Sequence, residues 1–177
     1  MPKPIYGAAG SGMHCHQSVY DEDGNNLFYD KTDPMHLSEL AKQFIAGQLK
    51  HAKALSAVVA PTINSYKRLV PGYEAPVYIA WAQVNRSALI RVPQVNNGNT
   101  KAVRIELRCP DPSANPYLAF TSMLAAAMTA VDDRSVTCPA PVNNINLYEL
   151  NEKEREQNMV SALPGSLEDA LNEFKAN

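Results

Sequence analysis

A short glycine-containing stretch places two histidines and a serine at alternate positions: residues 10–18 read GSGMHCHQS. Because the side chains of a β-strand alternate between its two faces, His14, His16 and Ser18 would share one face. Glycines let a backbone approach a ligand closely and imidazoles bind metals, so the stretch predicts one wall of a metal and phosphate site. Two histidines are too few to define a metal site, and a pair of hydrogen-bonded surface histidines beside a turn is the alternative.

A second alternating stretch, residues 104–108, surrounds one carboxylate with guanidinium groups. The same alternation puts Arg104, Glu106 and Arg108 on one face and leaves Ile105 and Leu107 for the core. Such a face is either a ladder of salt bridges or a metal ligand between two anion-binding arms. Few acidic residues lie near these arginines in the sequence, which weakens the salt-bridge interpretation.

A third region holds three more arginines and a loop that is rich in proline and glycine. Arg86 and Arg91 differ in parity, so one flat strand cannot direct both at the same ligand, and a bend near Ser87 is required if they converge. Arg68 precedes the loop, and Glu74 lies within it. From the pattern alone, an ordinary proline-rich turn is the favoured interpretation of that loop.

The formal net charge of -2 is unevenly distributed along the 177 residues. Residues 60–110 contain seven basic residues, five of them arginines, against only Glu74 and Glu106. Arginine forks match carboxylate and phosphate oxygens, so the region predicts a compact anionic ligand. Nucleic acid is the weaker interpretation, because the whole chain is slightly acidic and has no basic stripe studded with aromatic residues.

The remaining composition is typical of a globular protein of the cytoplasm. No apolar run approaches the roughly 20 residues of a membrane span, and the N-terminus has no signal-peptide pattern. Three cysteines, Cys15, Cys109 and Cys138, cannot all form pairs, which favours a reducing compartment.

The elements that must position these residues are predicted from periodicity and turn signals. A hairpin should join residues 11–20 to 27–29, and residues 134–164 should be irregular. Helices are predicted at about 36–59, from Asn115 to about 131, and at 166–175; strands are predicted at 77–84, 88–92 and 103–108, with a turn at 96–99. Because helices and strands are segregated along the chain, we expect an α+β fold with an antiparallel sheet backed by long helices.

Four motifs in order resemble the type I glutamine synthetases, and the resemblance covers nearly the whole chain. They are KPI at residues 3–5 with AGSGMH at 9–14 and Ser18, NSYKRLVPGYEAP at 64–76, NRSALIR at 85–91, and RIELRCPDP at 104–112. The resemblance implies an ATP-dependent condensation of L-glutamate with ammonia through γ-glutamyl phosphate, with Mg²⁺ or Mn²⁺ as the cofactor.

The resemblance also implies a role for each matching residue. Metal would be bound by His14 and Glu106; glutamate by Gly10, Arg68 and Arg108; the nucleotide by His16, Ser18, Arg91, Lys101 and Arg104. Arg86 would stabilise the transferred phosphoryl group, in contact with both nucleotide and glutamate. Glu74 would close over the site and deprotonate or position ammonium.

The resemblance predicts that residues 1–177 form the C-terminal part of a catalytic domain, truncated at its end. The first part of that domain and the N-terminal β-grasp domain would be absent, together with further metal ligands. In the family, a homo-oligomeric ring shares active sites between subunits, so this segment alone is predicted to be inactive. Ala9 stands where many members have asparagine, which puts part of glutamate recognition in doubt.

Three alternatives stay open at this stage. A related ligase could join glutamate to a polyamine or another amine, although the match around Glu74 favours ammonia. A non-catalytic homologue used as a scaffold would be expected to lose some of these site residues, and none is lost. An anion- or nucleic-acid-binding module would bind in a strongly salt-dependent manner without metal. Tyr148 resembles the tyrosine that some members adenylylate, but its flanking sequence is more similar to the unmodified subtype.

Overall fold

The structure is a computed structural model that describes residues 1–72, 75–95 and 99–177. These residues form six α-helices and five short strands. The helices are α1 (Glu39–Lys50), α2 (Ala52–Val59), α3 (Ile63–Arg68), α4 (Pro116–Asp132), α5 (Glu152–Gln157) and α6 (Leu167–Ala176). The strands are β1 (Cys15–Gln17), β2 (Tyr78–Ala82), β3 (Ala88–Arg91), β4 (Ile105–Leu107) and β5 (Ser161–Ala162), and a single 3-10 turn spans Thr100–Ala102.

The strands form one sheet in the order β1-β4-β3-β2-β5. The pairs β1–β4, β3–β4 and β2–β5 are antiparallel, but β2 and β3 run parallel. A mixed domain of helices and one sheet is therefore confirmed, whereas the prediction of a purely antiparallel sheet is wrong at its centre.

The parallel pair arises because residues 83–87 leave the sheet before the chain re-enters it. Asn85 fixes this excursion: its Nδ2 donates to Val142 O at 2.9 Å, and its Oδ1 accepts from Ser87 N at 2.9 Å. Gln83 N also donates to Asn143 Oδ1, at 2.7 Å. Short connections normally join antiparallel strands, so a prediction from sequence spacing misses this arrangement. The bend predicted near Ser87 is confirmed as a turn at residues 86–87.

The helix predicted at 36–59 is two helices, and it begins later than expected. Ser38 caps α1, with its hydroxyl accepting from Ala41 N, and His36 has a left-handed φ of 59° that excludes it from the helix. His51 separates α1 from α2, and its ring nitrogens lie at hydrogen-bond distance from Thr129 and Asn177. The apolar periodicity continues through His51, so the sequence pattern does not indicate that the helix is interrupted there.

Other predictions fare differently. The turn of the first hairpin is confirmed by a Tyr20–Asn26 bridge and a 2.8 Å bond from Leu27 N to Val19 O. Helices α4 and α6 are confirmed to within about one residue at each end. Residues 134–164 are not wholly irregular, because they include α5 and β5, and α3 was not predicted. The predicted turn at 96–99 lies mostly outside the described residues.

Helices α1 and α4 pack closely because α1 carries a glycine where they cross. A Cβ atom on Gly47 would lie 2.2 Å from Ala126 O and 2.8 Å from Ala127 O. The α4 face turned to α1 is accordingly built from small residues, including Ala126, Ala127 and Ala130, and from Met123. Gln48 of α1 is fully buried and exchanges two hydrogen bonds with Gln17 of β1, which joins the helix pair to the sheet. Among the described residues, no helix has the length and apolar character needed to cross a membrane.

We predict that Gly47→Ala destabilises the chain although alanine favours helices by about 1 kcal/mol over glycine. The new methyl group would meet backbone carbonyls, which cannot move aside as a side-chain end can, so the overpacking cost of about 1–3 kcal/mol should dominate. Urea unfolding measures the difference. Gly165→Ala is the matched control, because a Cβ there meets nothing within 4 Å; a loss at Gly165 as large as at Gly47 would contradict the packing argument.

Candidate active site

Three neighbouring strands place an imidazole, a carboxylate and a guanidinium in one row. The register pairs His16 of β1 with Glu106 of β4, and Glu106 with Arg91 of β3. Side chains that are paired across adjacent strands lie on the same face of the sheet, so all three point to one side. The alternation predicted from the sequence is thus confirmed, and the sheet adds Arg91 to the row.

Glu106 is the centre of this row. Its side chain is only 3% exposed, and both of its oxygens have partners. Oε2 accepts from Arg91 Nε at 2.5 Å, while Oε1 lies 2.9 Å from His14 Nδ1 and 3.9 Å from His16 Nε2. A buried carboxylate is costly unless it is paired and hydrogen-bonded, and these contacts meet that requirement.

His16 has a defined protonation pattern in this arrangement. Arg104 Nε lies 3.1 Å from His16 Nδ1, and an arginine can only donate. The Nδ1 atom must therefore accept, which leaves the proton of a neutral ring on Nε2. That Nε2–H faces the Glu106 side of the row and is available to donate to an anion.

His14 lies beside the row, in surroundings that favour its neutral form. Burial lowers the pKa of His14, the Arg108 guanidinium lowers it further, and Glu106 opposes both effects. The neutral imidazole is the form that binds a metal. His14 Nδ1 and Glu106 Oε1 are in direct contact, and the metal-binding role expected of this pair stays a prediction.

Two other arginines lie buried next to this row. Arg68 donates through Nη1 to Cys109 O at 2.8 Å and through Nη2 to Arg108 O at 3.0 Å. Arg108 donates to Ala88 O at 3.3 Å and makes a short contact with Arg86 O, but its buried Nε has no partner among the described residues. Burial lowers the pKa of both guanidinium groups, because desolvation disfavours their charge.

The glycine segment, residues 10–13, fits between Pro2 and the buried arginines only because Gly10 and Gly12 have no side chains. A Cβ on Gly10 would lie 2.3 Å from Pro2 O, and one on Gly12 would lie 2.5 Å from Arg68 Nη2. Hydrogen bonds from Ser11 N to Pro2 O and from Met13 N to Pro110 O, both 2.8 Å, fix the segment on each side. The glycines thus bring backbone against the arginine cluster, as the sequence pattern indicated.

A cleft of about 420 Å³ opens where the glycine segment meets the buried arginines. Four of the predicted site residues line it: Gly10, His14, Arg68 and Arg108. Lys3, Ala9, Gly12 and Ala75 complete the lining. The cleft is polar and basic, with a size suited to a small anionic substrate.

The structure does not bring every predicted residue to this cleft. Ser18 and Lys101 are exposed beyond the ends of β1 and β4, and Arg86 is exposed, with only its carbonyl contacting Arg108. Glu74 lies outside the described residues.

Lys3 is a cleft residue that the sequence analysis did not single out. It is buried, and it contacts Ala8 O through Nζ. Its place in the KPI motif was the available signal.

The donor set for a metal is partial. Within residues 1–72, 75–95 and 99–177, no group of three or more His, Cys, Asp or Glu side chains is arranged to hold an ion. Glu106 with His14 supplies one carboxylate and one neutral imidazole, which suits Mg²⁺ or Mn²⁺ only if further oxygen ligands come from elsewhere.

Comparison with known proteins identifies the family. The sequence model of the family described as "Glutamine synthetase, catalytic domain" matches residues 1–177. The chain belongs to the glutamine synthetase family. It is 54% identical to the glutamine synthetase of Thermotoga maritima over 175 residues, 52% to that of Methanocaldococcus jannaschii over 178, and 49% to that of Methanosarcina mazei over 177.

Coverage of these relatives is one-sided. The alignments include 99% to 100% of this chain but only 38% of each of the three relatives. The chain therefore spans well under half the length of the glutamine synthetases it matches, and the partial donor set around Glu106 is consistent with that.

We predict that Glu106→Gln costs about 2 kcal/mol of unfolding free energy, since hydrogen bonds to charged groups contribute roughly 1.5–3 kcal/mol and the glutamine keeps the shape. The loss of unfolding free energy should exceed that of the Arg91–Glu106 pair alone, because Arg91, His14 and His16 would all lack a negatively charged partner. Glu173→Gln is the control, as its bridge to Lys53 is about half exposed and should contribute under about 1 kcal/mol. Equal losses in urea unfolding would show that the Glu106 cluster does not stabilise the fold.

Proposed function

We propose that this chain, in its full-length parent, carries out the ATP-dependent ligation of ammonia to L-glutamate. The observation that carries the proposal is the row of His16, Glu106 and Arg91 beside a basic cleft, in a chain of the glutamine synthetase family. In the first half-reaction the glutamate γ-carboxylate attacks the γ-phosphorus of ATP and ADP leaves. In the second, the nitrogen of ammonia attacks the acyl carbon of γ-glutamyl phosphate and phosphate leaves.

The cleft is the proposed glutamate site. Arg108 offers its buried Nε, which has no partner among the described residues, to a glutamate carboxylate. Arg68 is committed to backbone carbonyls and acts mainly by fixing the positive wall and the position of residues 108–110. Gly10 presents backbone to the substrate, and Ala9 in the lining leaves that side without a side-chain amide.

The row of strands is the proposed nucleotide side. His16 donates through Nε2–H to phosphate oxygens, and Ser18, Arg91, Lys101 and Arg104 assist in binding the nucleotide. Arg86, which is exposed at the turn before β3, reaches the phosphoryl group during transfer. Phosphoryl transfer requires mostly fixed positive charge around the phosphoryl oxygens, and these groups provide it.

His14 and Glu106 are the proposed metal ligands in this chain. A bound Mg²⁺ or Mn²⁺ would neutralise charge on the nucleotide phosphates. His14 and Glu106, which are in contact through Glu106 Oε1, would hold the ion with one imidazole and one carboxylate, while Arg91 would keep its hydrogen bond to Glu106 Oε2. Glu74 is proposed to close over the bound substrates, to exclude water from the acyl phosphate and to position or deprotonate ammonium.

The parent is proposed to contain an N-terminal β-grasp domain and the first part of the catalytic domain. Residues 1–177 would then be the later part of that domain, with the long helices backing the sheet and the extreme C-terminus missing. We propose a cytoplasmic homo-oligomeric ring whose subunits share active sites, which makes the isolated chain inactive. Three free cysteines accord with the reducing compartment.

Ammonia is the preferred amine because the relatives in the comparisons are named glutamine synthetases. A ligase for polyamines would use the same nucleotide groups and differ around the ammonium pocket. A scaffold homologue would have no reason to retain His14, Glu106 and the arginines together.

The proposed function is tested by γ-glutamyl hydroxamate formation from glutamate, ATP and hydroxylamine, with the chain alone and with its natural upstream residues restored. We expect activity only from the restored protein. Arg86→Ala and Glu106→Ala should each lower kcat at least 100-fold, since each removes a group that acts on the phosphoryl oxygens or the metal. Arg134→Ala, at an exposed position just beyond the C-terminal end of α4, is the control and should leave activity within two-fold.

Activity from the chain alone would refute the claim that essential groups lie upstream. A folded and assembled restored protein that makes no hydroxamate, yet accepts a polyamine, would replace ammonia with an amine as the substrate. If the restored protein shows no ligase activity with any amine, a non-catalytic scaffold is favoured.

A further inference from the structure

Tyr148 connects a late segment of the chain to the wall of the cleft. Its hydroxyl donates to Ala75 O at 2.7 Å across 73 residues of sequence. Ala75 is buried and is the cleft-lining residue from this part of the chain. The tyrosine ring itself is half-buried, so the hydroxyl is directed inward and not toward solvent.

The ring of Tyr148 is held by a second layer of contacts. The Tyr148 ring lies 5.9 Å from the ring of Tyr78, centroid to centroid. The Tyr78 ring has a second contact, because the guanidinium of Arg155 lies 5.3 Å from its centroid. Arg155 belongs to α5, and Val160 N donates to its carbonyl at 2.9 Å as the chain turns into β5. The aromatic contact favours one position of the Tyr148 ring, and the cation–π contact helps to fix the Tyr78 ring against which it packs.

The late segment is also tied to the strand that follows Ala75. Strand β5 pairs with β2 through Tyr78–Ala162 and Ile79–Ser161, and Leu163 N donates to Val77 O at 2.8 Å. Residues 75–79 are thus held by backbone pairing at Val77 and beyond. At Ala75 the contact from the late segment is the Tyr148 hydroxyl, one position after Glu74 in the chain.

We propose that Tyr148 is a positioning residue for the glutamate cleft: its hydroxyl fixes Ala75 in the wall of the cleft that Arg68 and Arg108 also line, and thereby sets the affinity for glutamate. The proposal rests on the proposed ligase function for its substrate, but the contact itself is independent of that function. Tyr148 acts through Ala75 and does not touch the substrate.

Tyr148→Phe tests the proposal because it removes the hydroxyl and keeps the ring on Tyr78. In the restored protein, we expect the KM for glutamate to rise three- to ten-fold, as one neutral hydrogen bond of about 0.5–1.5 kcal/mol implies. The KM for ATP should stay within two-fold, because the nucleotide side is built on other strands. Tyr78→Phe is the matched control: it removes the other hydroxyl of the pair, for which no hydrogen bond is described, and should change neither KM.

Amide hydrogen exchange on the 177-residue chain provides a readout that needs no catalysis. A peptide that begins upstream of Ala75 and ends at residue 79 retains the Ala75 amide, and it should exchange faster in Tyr148→Phe than in the wild type or Tyr78→Phe, while peptides from α1 and α4 should be unchanged. A glutamate KM within two-fold of the wild type, or equal rises in both KM values, would overturn the positioning role.

If the restored wild type made no hydroxamate, the ligase proposal would fail, and exchange alone would decide on the contact. Faster exchange confined to residues 75–79 would then support Tyr148 as the anchor of this wall. Unchanged exchange would overturn it.

Discussion

One buried carboxylate organises the basic half of this molecule. Glu106 is the acidic group among Arg91, Arg108 and two histidines, and its two oxygens are shared between a guanidinium and an imidazole. Without it, the cationic side chains on this face would repel one another in a poorly solvated environment. The short strands β1, β4 and β3 position this carboxylate, because their register places His16, Glu106 and Arg91 in one row. A carboxylate placed in this way is stable with its present partners.

Much of this site was predictable because strand alternation is a strong geometric rule. Arg104, Glu106 and Arg108 share a face for the same reason that Ile105 and Leu107 fill the core, and no tertiary information is needed to see it. The pairing of Arg91 with Glu106 was not predictable, since it depends on which strands are neighbours. The three hydrogen bonds from Arg68 to backbone carbonyls were not predictable either, because a sequence pattern does not show which backbone oxygens a side chain will reach.

The fold was predictable where local signals were complete and unpredictable where distant contacts decided. Asn115 followed by proline marks the start of α4 correctly, whereas the break at His51 depends on partners on α4 and at residue 177. The Asn151–Glu154 capping box that starts α5 was visible in the sequence and was missed among polar residues. The parallel β2–β3 pair follows from the attachment of Asn85 to residues 142–145, which no local pattern encodes.

One of the three carbonyls that accept from Arg68 belongs to Cys109, and this gives the molecule an internal reporter. The side chain of Cys109 is 1% exposed, and burial raises the pKa of its thiol to about 12. Alkylating reagents react with the thiolate, so Cys109 is silent toward them while the arginine cluster is in place. Its labelling rate therefore measures how often the region behind the cleft opens, in the range between local breathing and complete unfolding. The chemistry of one sulfur atom thus records the persistence of the pocket without any substrate being present.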